Sequence, residues 1–317
     1  MKSLNIQNAK FVLWLRNLSP RYWGSWLYIL ICHLVAFLPL PLQFKLGGFF
    51  GKWLASSKRL SHIVRTNITR CFPHLSQQET DRIIQRCFVN QGIDFFESFT
   101  IWSRNGFKIF NKSVEVEGLH HLQEAMKQDR SVIILASHFS NVDMGVMLMG
   151  YIGKKYNLYD LSITYKPQPD RVVNNFMTRG REQYFKKVIP VDETRQIIRE
   201  LKNKQVVWYA PDMNVAKKNA VFIPFLGVQA STTTAISRLS RMTNSIVIPY
   251  FHHRSEDGHQ YRVKIYPPLE NFPSSDVIED TKKSNQLLEQ TVLAEPEKYW
   301  WILKRFKTRP AGEKSFY

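Results

Sequence analysis

The stretch "SVIILASHFSNVDMG", residues 131–145, decides the fold of this chain. It opens with a β-branched apolar run, which predicts a buried strand, and the run stops just before His138. Asp143 follows five positions after the histidine. Residues five apart on a regular helix point roughly 140° apart, so these side chains meet only if the chain turns between them. We therefore predict a strand-to-helix turn at His138, with Ser140 or Asn141 capping the helix that follows.

Short apolar runs alternate with amphipathic segments along the rest of the chain. The runs are Val132–Ala136, Leu161–Tyr165, Val188–Val191, Val206–Tyr209, Ile246–Phe251 and Tyr261–Tyr266. Ser76 and Glu79 form a capping box that begins a long helix, and Arg195–Lys202 and Thr232–Arg241 have helical spacing. This alternation predicts an α/β fold with a central, mostly parallel or mixed sheet flanked by helices. Functional groups collect at the carboxyl ends of strands in such sheets, where His138 is expected to lie.

The N-terminal region is predicted to anchor the protein to a membrane. No residue from Tyr22 to Phe44 carries a formal charge, and Lys and Arg flank the run on both sides. Pro39 and Pro41 end a helix within this run, leaving about 16 helical residues where a span needs about 20. A tilted single span, a re-entrant turn and an interfacial anchor all remain open. We predict an anchor over residues 1–44 and one catalytic domain over residues 45–317.

The charge balance predicts an acidic partner. Lys and Arg total 44 against 26 Asp and Glu, a formal net charge of +18. Nucleic acid, anionic lipid and an acidic carrier protein all fit this charge, but no nucleic-acid-binding motif is present, so we expect no nucleic acid. The 3 cysteines include no CxxC pair, which favours a reducing compartment over a disulfide framework or a structural zinc. We predict a monomer that uses neither a metal nor a cofactor, with its catalytic part in the cytoplasm.

His138 and Asp143 have the chemistry of a base and its orienting partner. If the carboxylate accepts a hydrogen bond from one imidazole nitrogen, the other nitrogen can take a proton from a hydroxyl group. No G-x-S-x-G elbow is present, so the simplest reaction is direct attack of a substrate hydroxyl on an acyl carbonyl. A histidine before a helix with an exposed aspartate in the first turn is the structural alternative. A metal-dependent hydrolase using His138, Asp143 and His252 is a functional one.

Four downstream blocks, together with the His-x4-Asp element, resemble the late lipid A acyltransferases, a branch of the glycerolipid acyltransferase superfamily. The blocks are "YKPQPDRVVNNFMTRGRE" from Tyr165, "VVWYAPD" from Val206, "VFIPFLGVQASTTTA" from Val221 and "EPEKYWWILKRFKTRP" from Glu295. With the N-terminal apolar segment, they cover nearly the whole chain.

The resemblance implies transfer of a fatty acyl group, lauroyl or myristoyl, from an acyl carrier protein thioester. The acceptor it implies is a hydroxyl of a 3-hydroxyacyl chain on a Kdo-bearing lipid A precursor, at the cytoplasmic face of the bacterial inner membrane, an anionic surface. It also implies that His138 is the general base and Asp143 its orienting partner. A glycerophospholipid or another glycolipid is the alternative acceptor for the same fold.

Six further residues are predicted to bind substrate: Lys166, Arg179, Arg181, Asp212, Arg305 and Arg309. The basic residues suit phosphate groups, the first three near a predicted strand end and the last two in the terminal block. A solvated helix face and an ordinary basic tail are the respective alternatives. Asp212 closes a predicted buried strand, where a carboxylate is costly unless paired. It either pairs with a basic residue of the site or caps the next segment.

Overall fold

The computed structural model describes residues 17–104, 106, 114–158, 161–216, 220–258 and 260–317. The helices in these ranges are α1 (Trp23–Ala36), α2 (Leu40–Ala55), α3 (Lys58–Cys71), α4 (Gln77–Ser103), α5 (Leu119–Lys127), α6 (Val142–Lys155), α7 (Arg171–Glu182), α8 (Thr194–Lys202), α9 (Ala235–Thr243) and α10 (Val277–Ala294). The strands are β1 (Val114–Glu117), β2 (Val132–Leu135), β3 (Leu161–Tyr165), β4 (Lys187–Pro190), β5 (Val206–Tyr209), β6 (Ala220–Phe225), β7 (Val228–Thr233), β8 (Ile246–Arg254) and β9 (Tyr261–Ile265).

The central sheet has 7 strands in the order β1-β9-β8-β2-β5-β3-β4. All neighbouring pairs are parallel except β8 and β9. Alternating side chains of β2 enter two separate cores: Ile134 packs with α6, whereas Ile133 packs with α8 and α9. Burial on both faces explains why the strand is continuously apolar. The predicted α/β class with a mostly parallel, helix-flanked sheet is confirmed.

The predicted elements match the structure where the apolar pattern is strongest. β3 and β5 have the predicted bounds, and the Ser76–Glu79 capping box begins α4. The hairpin of β6 and β7 was not predicted. Its turn at Leu226 and Gly227 has positive φ angles of 49° and 80°, and β7 occupies the start of the helix predicted over Thr232–Arg241.

The N-terminal apolar segment folds as two helices, where the sequence predicted one. Pro39 is the N-cap of α2 and Pro41 lies in its first turn, positions at which proline favours a helix start. α2 therefore continues across the predicted boundary at residue 44. In the parts of the chain that the structure describes, none of the helices has both the length and the apolar character needed to cross a bilayer. A single span, one of the three forms left open above, is not found there.

Glycines bring α2 into backbone contact with α4. A Cβ atom built on Gly51 would lie 2.1 Å from the Phe88 carbonyl oxygen, and one built on Gly92 would lie 2.1 Å from the Gly47 carbonyl oxygen. Larger residues cannot occupy Gly51 or Gly92 unless the helices move apart. These glycines thus fix α2 to α4, and α1 also packs on α4, with the Tyr28 ring 5.8 Å from the Phe99 ring. α4 in turn contacts the turn that follows β2.

The outer side of α1 and α2 exposes large apolar side chains. We call this surface the exposed apolar face; it comprises Trp23, Leu27, Leu30, Leu34, Phe37, Phe49 and Trp53. Its α1 members recur at intervals of three and four residues, so they form one stripe along the helix. Phe37 is 70% exposed and Phe49 is 73% exposed. Apolar exposure on this scale marks an interaction surface.

Candidate active site

The turn after β2 has the predicted form. β2 ends at Leu135 and α6 begins at Val142. Between them Ser140 adopts a left-handed φ of 56°, which reverses the chain. The Asn141 side chain then caps α6 by accepting hydrogen bonds from the backbone N–H groups of Asp143 at 3.0 Å and Met144 at 3.3 Å.

His138 is paired with Asp212. The imidazole Nδ1 lies 2.8 Å from Asp212 Oδ1, and the backbone N–H of His138 donates to Oδ2 at 2.9 Å. The Tyr299 hydroxyl donates to the same Oδ2 at 3.2 Å. β5 lies beside β2 in the sheet, so the residues that follow these two strands meet at one edge. Of the two uses predicted for Asp212, pairing with a basic residue is the one observed.

The environment of Asp212 keeps its carboxyl group ionised. Asp212 is only 1% exposed. Burial raises the pKa of this carboxyl group, but the charge of His138 and the hydrogen bonds from its ring and backbone outweigh burial, so the pKa lies below the ordinary value. Because a carboxylate only accepts hydrogen bonds, Nδ1 carries the imidazole hydrogen. Nε2 makes no hydrogen bond to the described residues and is free to accept one from a substrate.

The hydrogen bond predicted between His138 and Asp143 is not made. Asp143 instead accepts from Arg181, with Nε to Oδ1 at 2.8 Å and Nη2 to Oδ2 at 3.2 Å. Both side chains are nearly buried. The physical reason is that Arg181, at the end of α7, offers a planar two-donor group that matches a carboxylate. The structure therefore corrects the partner of His138 to Asp212, while a role of Asp143 in catalysis stays a prediction.

The C-terminal block holds the turn from the other side. The backbone N–H of Ser140 donates to the Lys298 carbonyl at 2.7 Å, and that of Trp300 donates to the His138 carbonyl at 3.1 Å. The Trp300 ring lies 5.7 Å from the imidazole, measured between centroids. Sequence reasoning assigned no role to Lys298, Tyr299 or Trp300. The only signal was their position inside the block quoted from Glu295.

The remaining predicted substrate-binding residues fall into two groups. Lys166, just past β3, and Arg179, on α7, are exposed. Arg305 is 1% exposed and donates to the Ser231 carbonyl and the Thr232 hydroxyl. Arg309 pairs with Glu313 and also donates to a backbone carbonyl of β7. Both of these guanidinium groups donate hydrogen bonds to β7, and their predicted binding of a lipid headgroup stays a prediction.

No three His, Cys, Asp or Glu side chains converge as metal ligands within the described ranges. His252, the third ligand of the hydrolase alternative, lies buried against the first turn of α6. A Cβ atom on Gly145 would lie 2.6 Å from its ring. Burial, helped by the charge of neighbouring basic groups, lowers the pKa of His252 to about 3, so this imidazole is neutral at physiological pH.

The site geometry and a family match together indicate the class of enzyme. His138 lies at the carboxyl edge of a mostly parallel sheet, bonded to a buried carboxylate and with a free Nε2, an arrangement that suits proton transfer from a hydroxyl group. The model of a family described as bacterial lipid A biosynthesis acyltransferase matches residues 15–308. The chain belongs to this family, and it is an acyltransferase.

Characterised relatives cover nearly the full length of the chain. The lipid A biosynthesis lauroyltransferase of Escherichia coli K12 is 32% identical over 303 residues, which are 95% of this chain and 96% of the relative. The palmitoleoyltransferase of the same organism is 32% identical over 302 residues, with the same coverage. Its myristoyltransferase is 27% identical over 301 residues, 93% of this chain and 90% of the relative.

Proposed function

We propose that this enzyme transfers a fatty acyl group from an acyl carrier protein thioester to a hydroxyl of a 3-hydroxyacyl chain on a Kdo-bearing lipid A precursor. The observation that supports it best is the bond between His138 and Asp212, because it leaves Nε2 of His138 free to accept a proton from a substrate hydroxyl. The relatives are named for lauroyl, palmitoleoyl and myristoyl transfer, which supports a long-chain fatty acyl donor.

The proposed reaction has two proton transfers. Nε2 of His138 takes the proton of the acceptor hydroxyl as its oxygen attacks the thioester carbonyl. The new C–O bond forms, the C–S bond breaks, and the imidazolium returns the proton to the departing thiolate. Asp212 stabilises the imidazolium in between. Atoms and charges balance without a cofactor.

The exposed apolar face gives the site access to a lipid acceptor. We propose that it lies in the interfacial region of an anionic bacterial inner membrane, with the catalytic domain on the cytoplasmic side. Four exposed basic residues lie just before α1, within α2 and at the start of α3, and they suit anionic lipid. They are Arg21, Lys45, Lys52 and Lys58. Ser25 lies on α1, and its hydroxyl donates to Asp170 at 2.6 Å. Asp170 caps α7, the helix that carries Arg181, so this bond connects α1 to the helix that holds Asp143.

We propose that the acyl carrier protein binds to this enzyme through electrostatic attraction. An acidic carrier protein suits a chain of net charge +18 because complementary charges speed and orient association. Lys166 is exposed just past β3 and Arg179 is exposed on α7, and we propose them as contacts for a phosphate of the lipid or of the carrier arm. A phosphate contact at exposed side chains changes KM more than kcat.

The direct test supplies purified protein with lauroyl-, myristoyl- and palmitoleoyl-acyl carrier protein and two acceptors, the Kdo-bearing lipid A precursor and a lysophospholipid. Mass spectrometry of the products identifies the acceptor. We expect one added acyl chain on the lipid A precursor. Acylation of the lysophospholipid alone would favour the alternative acceptor, and no transfer to either would refute the proposal.

A further inference from the structure

A buried polar cluster lies beneath the catalytic turn and is not used by the reaction. Its centre is the Asn141 side chain, which is 1% exposed. Besides capping α6, its Oδ1 accepts from the Ser98 hydroxyl at 3.1 Å. Its Nδ2 donates to the Asp94 carbonyl at 2.9 Å and to Glu97 Oε2 at 3.1 Å. Both amide hydrogens of Asn141 are thus committed to α4.

Glu97 is fixed just as firmly on its other side. Its Oε1 accepts from the Tyr261 hydroxyl at 2.5 Å, and its Oε2 lies 2.9 Å from Arg254 Nη1. Arg254 also binds Asp94, at 3.0 Å. Glu97 is fully buried, so α4, β8 and β9 together define where its Oε2 lies. A buried carboxylate with all of these partners is a rigid reference point.

We propose that Glu97 is a positioning residue that sets the catalytic turn through Asn141. The residue before Asn141 is the left-handed Ser140, a conformation that a non-glycine residue keeps only when its surroundings enforce it. Asn141 supplies that constraint, because its one amide binds α4 and begins α6. The direction of α6 then brings Asp143 to Arg181, and the turn before it brings His138 to Asp212. This inference rests on the acyl transfer proposed above.

The contact has a donor at Asn141 and an acceptor at Glu97, so each of the two groups can be removed separately. Asn141→Asp keeps the capping oxygen but faces Glu97 with a second carboxyl group. We expect kcat to fall about thirtyfold or more with KM for the lipid acceptor unchanged. Glu97→Leu tests the other side, because it removes the acceptor for the Asn141 amide with a side chain of similar size and leaves the capping oxygen in place. We expect its kcat to fall about tenfold or more at constant KM.

Asn90→Asp is the matched control. Asn90 binds Arg254 at 3.2 Å in the same cluster but does not contact the turn, so its kcat is expected to stay within about twofold of wild type. If Asn141→Asp does not fold, Asn141→Ser keeps a capping hydroxyl while losing both amide donors. A fall in kcat of about tenfold at constant KM is then expected. A kcat of Asn141→Ser or of Glu97→Leu within twofold of wild type would overturn the proposal.

A second readout separates this inference from the proposed function. Diethylpyrocarbonate modifies accessible imidazole nitrogens, and mass spectrometry of peptides reports its rate at His138 without any acyl transfer. We expect Asn141→Ser to change this rate severalfold and Asn90→Asp to leave it at the wild-type value. An unchanged rate in Asn141→Ser would contradict positioning even in an active enzyme. A changed rate in an enzyme without lipid A acylation would refute only the substrate.

Discussion

Asp212 fixes which nitrogen of His138 is free to act as the proposed base. Asn at this position presents an N–H group to Nδ1, which moves the imidazole hydrogen to Nε2 and removes the free lone pair there. We expect Asp212→Asn to lower kcat by about 10² to 10⁴, the usual range for general base catalysis. Steady-state kinetics with saturating acyl carrier protein thioester measure it. A kcat near the wild-type value would show that the base is held in another way.

Asp143 makes a useful comparison because its carboxylate is committed to Arg181. Removing one partner of a buried ion pair leaves the other charge uncompensated, which costs about 3–5 kcal/mol. We expect Asp143→Asn to lower the free energy of unfolding by about that amount, as read by chemical denaturation. Unchanged stability would mean that the pair with Arg181 is not a stabilising contact.

His252 makes the stability of the fold depend on pH. Its pKa is lowered to about 3 in the folded protein, whereas the unfolded chain titrates near 6.5. Below pH 6.5 the unfolded state therefore binds a proton that the folded state does not, and stability falls as pH falls. This contributes about 2 kcal/mol between pH 7.5 and pH 5. Urea unfolding at both values is expected to show a smaller difference for His252→Gln than for wild type. An equal difference would exclude His252 as the source.

The local sequence was sufficient for the turn but not for its partners. A β-branched run followed by Ser140 and Asn141 predicts a strand, a reversal and a cap, and all three are present. The choice between Asp143 and Asp212 depends on strand order, because β2 and β5 are neighbours in space and distant in sequence. Spacing within one motif contains no information about that choice.

At the scale of elements, the close contact of α2 with α4 predicts how alanine substitutions at its glycines change stability. Gly51→Ala and Gly92→Ala each place a methyl group against a backbone carbonyl oxygen, which cannot rotate away. We expect each to lower the free energy of unfolding by about 1–3 kcal/mol. Gly48→Ala is the control, because a Cβ there would lie 3.7 Å from Val89, an ordinary contact. It is expected to be neutral or stabilising by up to about 1 kcal/mol, since alanine favours the helix. Equal losses at all three positions would contradict this packing.

The elements missed from the sequence share a cause. Pro39 and Pro41 were interpreted only as the end of a helix, and α1 does end before them, at Ala36. Because proline is equally suited to the first turn of a new helix, α2 was missed. The β6–β7 hairpin was missed because its two-residue turn lies within a block that has no strict alternation of polar and apolar residues. Both errors concern connections, whereas the buried strands were predicted because burial on two faces leaves a continuous apolar run.

At the scale of the whole molecule, the exposed apolar face predicts binding to lipid. Replacing Leu34 and Phe49 by Glu removes two large apolar side chains from the proposed interface. Each such side chain contributes about 1.5–3 kcal/mol when it is fully buried. We expect the double variant to bind vesicles containing anionic phospholipid at least about tenfold more weakly in a flotation assay. Met242→Glu is the control, since Met242 is 59% exposed on α9, outside this face. Equal binding by both variants would remove the face from the membrane contact.

Composition alone indicated the kinds of partner but not where they bind. The net charge of +18 predicts acidic partners, yet Arg181, Arg305 and Arg309 are all engaged inside the protein. Which cations remain exposed depends on tertiary packing. The charge left for partners therefore lies on residues such as Lys166 and Arg179.

The most direct measurement is the turnover of His138→Ala with acyl carrier protein thioester and the Kdo-bearing lipid A precursor. Circular dichroism and thermal unfolding establish first that the variant is folded. A base held by Asp212 and acting through Nε2 predicts a kcat at least about 10³-fold below wild type with the fold intact. A folded variant that transfers acyl groups at a rate near that of wild type would contradict the mechanism.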